Sequence, residues 1–154
     1  MQQQEMLYLE DLQPDMSVNV GPITVSEQEA IEFARQFDPQ PFHTDPVAAR
    51  DSFFQGLAVS GWHVAALSMR MLATSNIAKI ANGLIGLEII RLRWPRPTRP
   101  GDSLLLTVTI LSTRASASRP GWGTATTRWV LRNQRDETAM ELENVIWVQC
   151  RPQQ

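Results

Sequence analysis

The chain has 154 residues, enough for a sizeable buried core, and a single domain over 1–154 is expected. Sixteen acidic residues against fourteen basic ones leave a net charge of −2, which gives no electrostatic case for nucleic acid or an anionic membrane as partner. One cysteine, Cys150, excludes an internal disulfide and a cysteine-rich zinc site, and two histidines argue against a multi-histidine metal centre.

Residues 1–17 form a polar lead-in with a turn at Pro14-Asp15. No basic n-region or apolar core opens it, so no secretory signal is read there and the expected compartment is the cytoplasm. Val18, Val20, Ile23 and Val25 alternate as in a strand, broken at Gly21-Pro22. Thr24 or Ser26 caps the next helix, with Glu27 and Glu29 in the first turn where the dipole favours acid. Ala30, Ile31, Phe33, Ala34 and Phe37 follow at helical spacing, and Pro39 and Pro41 end that helix by Phe37 or Asp38. Residues 38–46 read as an irregular segment stiffened by three prolines. Asp45 then caps a short helix over 46–50, and 52–59 reads as a loop.

Residues 60–74 carry the pattern that organises the rest. They have helical length, no proline, and apolar side chains on every side, with Arg70 the one formal charge. A helix apolar all round is buried or spans a membrane, and about 22 Å is short for a bilayer. A buried helix wrapped by strands is the expectation. Downstream, residues 84–94, 104–113, 122–132 and 139–149 read as strands, with a turn at Pro100-Gly101-Asp102 and a tight polar hairpin at 133–137. Hairpin spacing predicts an antiparallel meander, and with the early strand this makes an α+β layer of five strands and one buried helix.

Asp38 and His43 are the strongest chemical pair, since a stiff loop brings a carboxylate and an imidazole five residues apart. Such a pair can polarise one water. On spacing alone, an Asx turn at Asp38 and a structural histidine explain the same residues. His63, in the first turn of the central helix, reads more readily as a hydrogen-bonded core histidine than as a pocket wall. Phe42, Phe53, Phe54 and Trp62 are pocket walls or plain core. Arg91, Arg93, Arg96 and Arg99 are either phosphate contacts or a solvated strand edge. Ser60 and Ser68 lack a nucleophile motif, and Cys150 reads as inert.

The stretch Phe37-Asp38-Pro39-Gln40-Pro41-Phe42-His43-Thr44-Asp45, followed by Phe54-Gln55-Gly56-Leu57-Ala58-Val59-Ser60-Gly61-Trp62-His63, resembles the MaoC-like, R-specific enoyl-CoA hydratase family. Trp94-Pro95-Arg96-Pro97 to Pro100-Gly101-Asp102 extends the resemblance over most of the chain. It departs at two places: Gln40 stands where asparagine is usual, and Ser60 replaces the histidine of a His-Gly step whose glycine is Gly61.

The resemblance implies the hotdog fold, a five-stranded antiparallel sheet around one long helix, in a homodimer or dimer of dimers. It implies reversible hydration of a trans-2-enoyl-CoA thioester, with Asp38 and His43 activating water and the Gly61 N–H stabilising the thioester oxygen. Phe42, Ser60, Trp62 and His63 become candidate substrate contacts. No cofactor or metal is implied, coenzyme A entering as part of the substrate. An acyl-CoA thioesterase, or an acyl-thioester-binding protein without activity, is the competing expectation for the same fold.

Overall fold

The computed structural model describes residues 5–77 and 79–153. A short 3-10 turn (Leu9–Asp11) leads into strand β1 (Ser17–Thr24) and helix α1 (Glu27–Phe37). Two one-turn helices follow, α2 (Pro41–Thr44) and α3 (Pro46–Ala49), then the central helix α4 (Gly61–Thr74). Strands β2 (Ile85–Arg93), β3 (Ser103–Ala115), β4 (Trp122–Arg132) and β5 (Thr138–Gln149) complete the chain.

Local chemistry accounts for the helix ends. Ser26 caps α1 through a reciprocal box with Glu29, each side chain meeting the other's backbone N–H. The Asp45 carboxylate accepts from the Val47 and Ala48 amides and starts α3, as its position before Pro46 predicts. The segment expected to be irregular contains α2, because Pro41 at the first helical position supplies the right φ and needs no N–H partner.

The five strands form one antiparallel sheet in the order β1-β3-β4-β5-β2. Only β3-β4-β5 is a meander. The expected adjacency of the second strand to the third is corrected: β2 crosses over and pairs with β5 at the far edge. Inward positions of β3 (Leu104, Leu106, Val108) and β4 (Trp129, Leu131) are buried at period two. They pack on Val64, Leu67, Met71 and Leu72 of α4, each such buried side chain stabilising the fold by roughly 1.5–3 kcal/mol. At the bulge in β1, Gly21 has φ +106°, and a Cβ there would lie 2.7 Å from Met71 Cε and 2.9 Å from the Leu104 carbonyl. Helix and sheet close up because that position carries no side chain.

The expectation that α4 is buried on every side is also corrected. Trp62, Ala66, Met69 and Ala73 lie at helical spacing on an exposed stripe, with Trp62 59% accessible. Strand β2 is exposed along nearly its whole length, including Ile85, Leu87, Ile89 and Ile90. A single chain therefore covers one side of its central helix.

Candidate active site

Asp38 ends α1, where its backbone N–H still closes the helix on Ala34 O. His43 lies in α2, which the prolines hold against it. The imidazole is buried, and Nδ1 lies 2.6 Å from the Ala58 carbonyl. A carbonyl only accepts, so the proton sits on Nδ1 and Nε2 points the other way. Nε2 is 3.2 Å from Asp38 Oδ2. With Nδ1 protonated in the neutral ring, Nε2 and the carboxylate are two acceptors converging on one point, and a single water can donate to both. Such a water turns its lone pairs outward, as a nucleophile must.

Asp38 is held on both oxygens. Gln40 Nε2 donates to Oδ1 at 2.6 Å, and Ser60 Oγ donates to Oδ2 at 2.7 Å. Burial pushes the carboxyl up, but the hydrogen bonds from Gln40 and Ser60, joined by the positive charge of His43 whenever its ring is protonated, hold it below its ordinary value. Asp38 is an ionised carboxylate at neutral pH, with 15% of its side chain accessible.

Ser60 is fully buried and does not line the cleft, so its expected role as a substrate contact is corrected. Its hydroxyl serves Asp38 and makes no capping bond to α4. The first-turn amides of α4 are thereby left uncapped at the positive end of the helix. Gly61 is the first of them. A Cβ there would lie 2.6 Å from Trp94 Cε2, so the indole lies flush on the glycine backbone. Trp94 meets Trp62 edge to face, with centroids 5.3 Å apart.

These groups line one cleft of about 550 Å³ that includes Asp38, Gln40, Phe42, His43, Gly61 and Trp62, with Phe53, Phe54 and residues 94–98. Phe42 and Trp62 both line this cleft. His63 does not reach the cleft, since two residues beyond Gly61 is about 200° round the helix. Its ring stacks on Phe33 at 4.4 Å, its Nδ1 is buried without a partner, and burial pushes its pKa down.

Three of the four arginines are engaged within the chain. Arg99 turns inward, donating to the carbonyls of Phe54, Gly56 and Leu57, and straps the loop that carries the cleft wall. Arg93 pairs with Glu141, and Arg96 with Glu137 at 2.9 Å. The sequence reading missed this strap and the buried clamp of Ser60. Both pair residues across long sequence separations that no local pattern displays.

The MaoC-like domain family model matches residues 11–129. The chain belongs to the MaoC-like family. A MaoC-like dehydratase from Rhodospirillum rubrum is 43% identical, with TM-score 0.90 over 96% of this chain and 99% of that one. R-hydratases from Pseudomonas aeruginosa (22% identity, TM-score 0.72, 94% and 86% covered) and A. caviae (24%, 0.71, 89% and 97%) share the fold. The uncharacterized protein YdeM of Bacillus subtilis is 27% identical over 100 residues, 64% of this chain and 70% of its own. The five-stranded antiparallel sheet round α4 is the hotdog fold of these MaoC-like relatives, as expected from sequence. Membership supports hydratase–dehydratase chemistry in general. Among the described residues, no helix is long and apolar enough to cross a membrane.

Proposed function

We propose that this single MaoC-like domain is a hydro-lyase interconverting a trans-2-enoyl-CoA thioester and its 3-hydroxyacyl form. The observation that carries the reading is the 3.2 Å approach of His43 Nε2 to Asp38 Oδ2 in a cleft that also holds the uncapped start of α4. Water held by Asp38 and His43 adds its oxygen to the β-carbon and gives one proton to that pair. Electron density moves onto the thioester oxygen, where the Gly61 N–H and the helix dipole stabilise it. The pair then returns the proton to the α-carbon, so the elements of water add across the double bond with no other reactant. Phe42 and Trp62 serve as walls for the acyl portion.

The exposed stripe of α4 and the free edge of β2 support a homodimer, because a long apolar edge left open invites pairing with a second copy.

The test follows enoyl absorbance and free thiol in parallel over a panel of enoyl-CoA and acyl-CoA thioesters. Loss of absorbance without thiol is expected, falling roughly 10²–10⁴-fold in Asp38→Asn and in His43→Ala. Thiol release with the double bond intact would make the protein a thioesterase. Unchanged turnover in both variants would sink the catalytic pair.

A further inference from the structure

Apart from two indoles, the polar side chains lining the Asp38–His43 cleft are Asp38, Gln40, His43, Arg96 and Thr98. The first four have partners within the chain. Gln40 and Ser60 donate to Asp38, the Ala58 carbonyl holds the imidazole, and Glu137 pairs with Arg96. Thr98 is the exception. It is 2% accessible, and its Oγ1 is closed off from solvent with no hydrogen-bond partner among the described residues. A buried hydroxyl without a bond is costly, and a valine of nearly the same shape would fill the position without that cost. Packing alone does not account for a threonine here.

The backbone fixes where this hydroxyl stands. One peptide group, between Ala58 and Val59, is held on both edges. Its carbonyl accepts from His43 Nδ1 at 2.6 Å, and its N–H donates to the Thr98 carbonyl at 2.8 Å. A trans peptide points those two groups in opposite directions, so Thr98 stands across it from the imidazole. The point where Nε2 and Asp38 converge on water is on the other side of the ring, which leaves Thr98 out of the set that holds the nucleophile. Burial grades along the cleft in the same sense. Phe53 and Trp62, 94% and 59% accessible, mark its mouth, whereas Val59, Val64 and Thr98 are each 4% accessible or less and form its inner wall.

We propose that Thr98 is a specificity-determining residue of this cleft, its hydroxyl pairing with a neutral oxygen carried by the acyl portion of the substrate beyond the reacting carbons. The proposal rests on the cleft being an acyl-thioester site. Val64 is about one turn beyond Gly61, so a thioester whose oxygen meets the Gly61 N–H extends its acyl end toward the inner wall. Holding no bond, Oγ1 loses none by rotating about Cα–Cβ toward the cleft that its residue lines. A threonine hydroxyl both donates and accepts, so an alcohol, ether or ketone oxygen satisfies it. A carboxylate does not fit. No cation stands on the inner wall, Arg96 is committed to Glu137 with 60% of its side chain accessible, and Asp38 close by is ionised.

The test measures, by calorimetry, binding of hexanoyl-CoA and of its 4-oxo and 5-oxo forms to the intact protein. One of the two ketones is expected to bind about tenfold tighter than hexanoyl-CoA, the worth of one hydrogen bond. Thr98→Val should bind all three alike, and Thr98→Ser should keep the preference. Without ligand, Thr98→Val should melt no lower than the wild type, since a hydroxyl with no partner contributes nothing to the fold. Ketones bound no tighter than hexanoyl-CoA would overturn the proposal. So would a preference that survives in Thr98→Val, or a lower Tm in that variant, which would show the hydroxyl already satisfied by an ordered water.

These saturated thioesters have no double bond to hydrate, so the contrast is read whatever becomes of turnover. A ketone preference without hydration of any enoyl-CoA removes the hydro-lyase reading alone. Hydration without the preference removes this one alone.

Discussion

Ser60 stands at the entrance of a helix and yet leaves that helix uncapped, its hydroxyl spent on Asp38 Oδ2 instead. The substitution Ser60→Ala removes a donor that favours the charged carboxylate, so the Asp38 pKa rises toward its ordinary value. The acidic limb of the kcat/KM profile then shifts to higher pH, and kcat falls about tenfold, as loss of one bond to a charged group predicts. KM stays put, because Ser60 lies outside the cleft. A raised KM with an unmoved acidic limb would show that Ser60 has no hold on the carboxylate.

His63 has a different pH signature, read in stability. Burial lowers its folded pKa below the unfolded value of about 6.5, so between those values the unfolded chain binds one more proton. Stability is therefore full above that value and declines as pH falls below it. Urea unfolding at pH 7 and pH 5 should show this decline in the wild type and a shallower one in His63→Phe.

At the scale of elements, the parts governed by near neighbours were legible. Thr24 or Ser26, with Glu27 and Glu29 behind them, announced the start of α1 and the structure selects Ser26; Pro39 and Pro41 announced its end, and the alternation of Leu104, Leu106 and Val108 the inward face of β3. The crossing of β2 was not legible, because hairpin spacing says which strands are near in sequence and nothing about which edge a strand joins. Thr127 and Asn144 left a signal that went unused: each is a polar residue at an inward position of an otherwise apolar alternation. The meeting of α4 with the segment after β2 also yields a test. Gly61→Ala pushes a methyl into the Trp94 ring and should lower kcat by about two orders of magnitude. Trp94→Ala in the same chain restores the room. Recovery in the double variant relative to Gly61→Ala checks that the defect is steric, and additive losses would refute it.

For the whole molecule, the exposed apolar stripe is the main departure from what the residues alone predicted. The sequence of α4 describes a helix surrounded on all sides, and a single chain surrounds only part of it. Sedimentation equilibrium should return twice the 17.4 kDa chain mass. Ile89→Lys, a charge on the free edge of β2, should shift the protein to monomer with its secondary structure intact. A monomeric wild type at micromolar concentration would remove the homodimer reading. The family resemblance carried the site further than periodicity could, because Asp38 and His43 form a pair only once Ala58 orients the imidazole, and Ala58 lies fifteen residues away.

Three of the five tryptophans are placed so that the molecule carries its own optical labels. Trp62 and Trp94 flank the amide of Gly61 and are partly wet, whereas Trp129 is 3% accessible and donates its indole N–H to Thr127 inside the roll. Wet indoles emit to the red of dry ones. A ligand seated at the cleft dims the red side of the emission band while the dry Trp129 holds the blue side steady, so the protein reports occupancy of the cleft without any added dye.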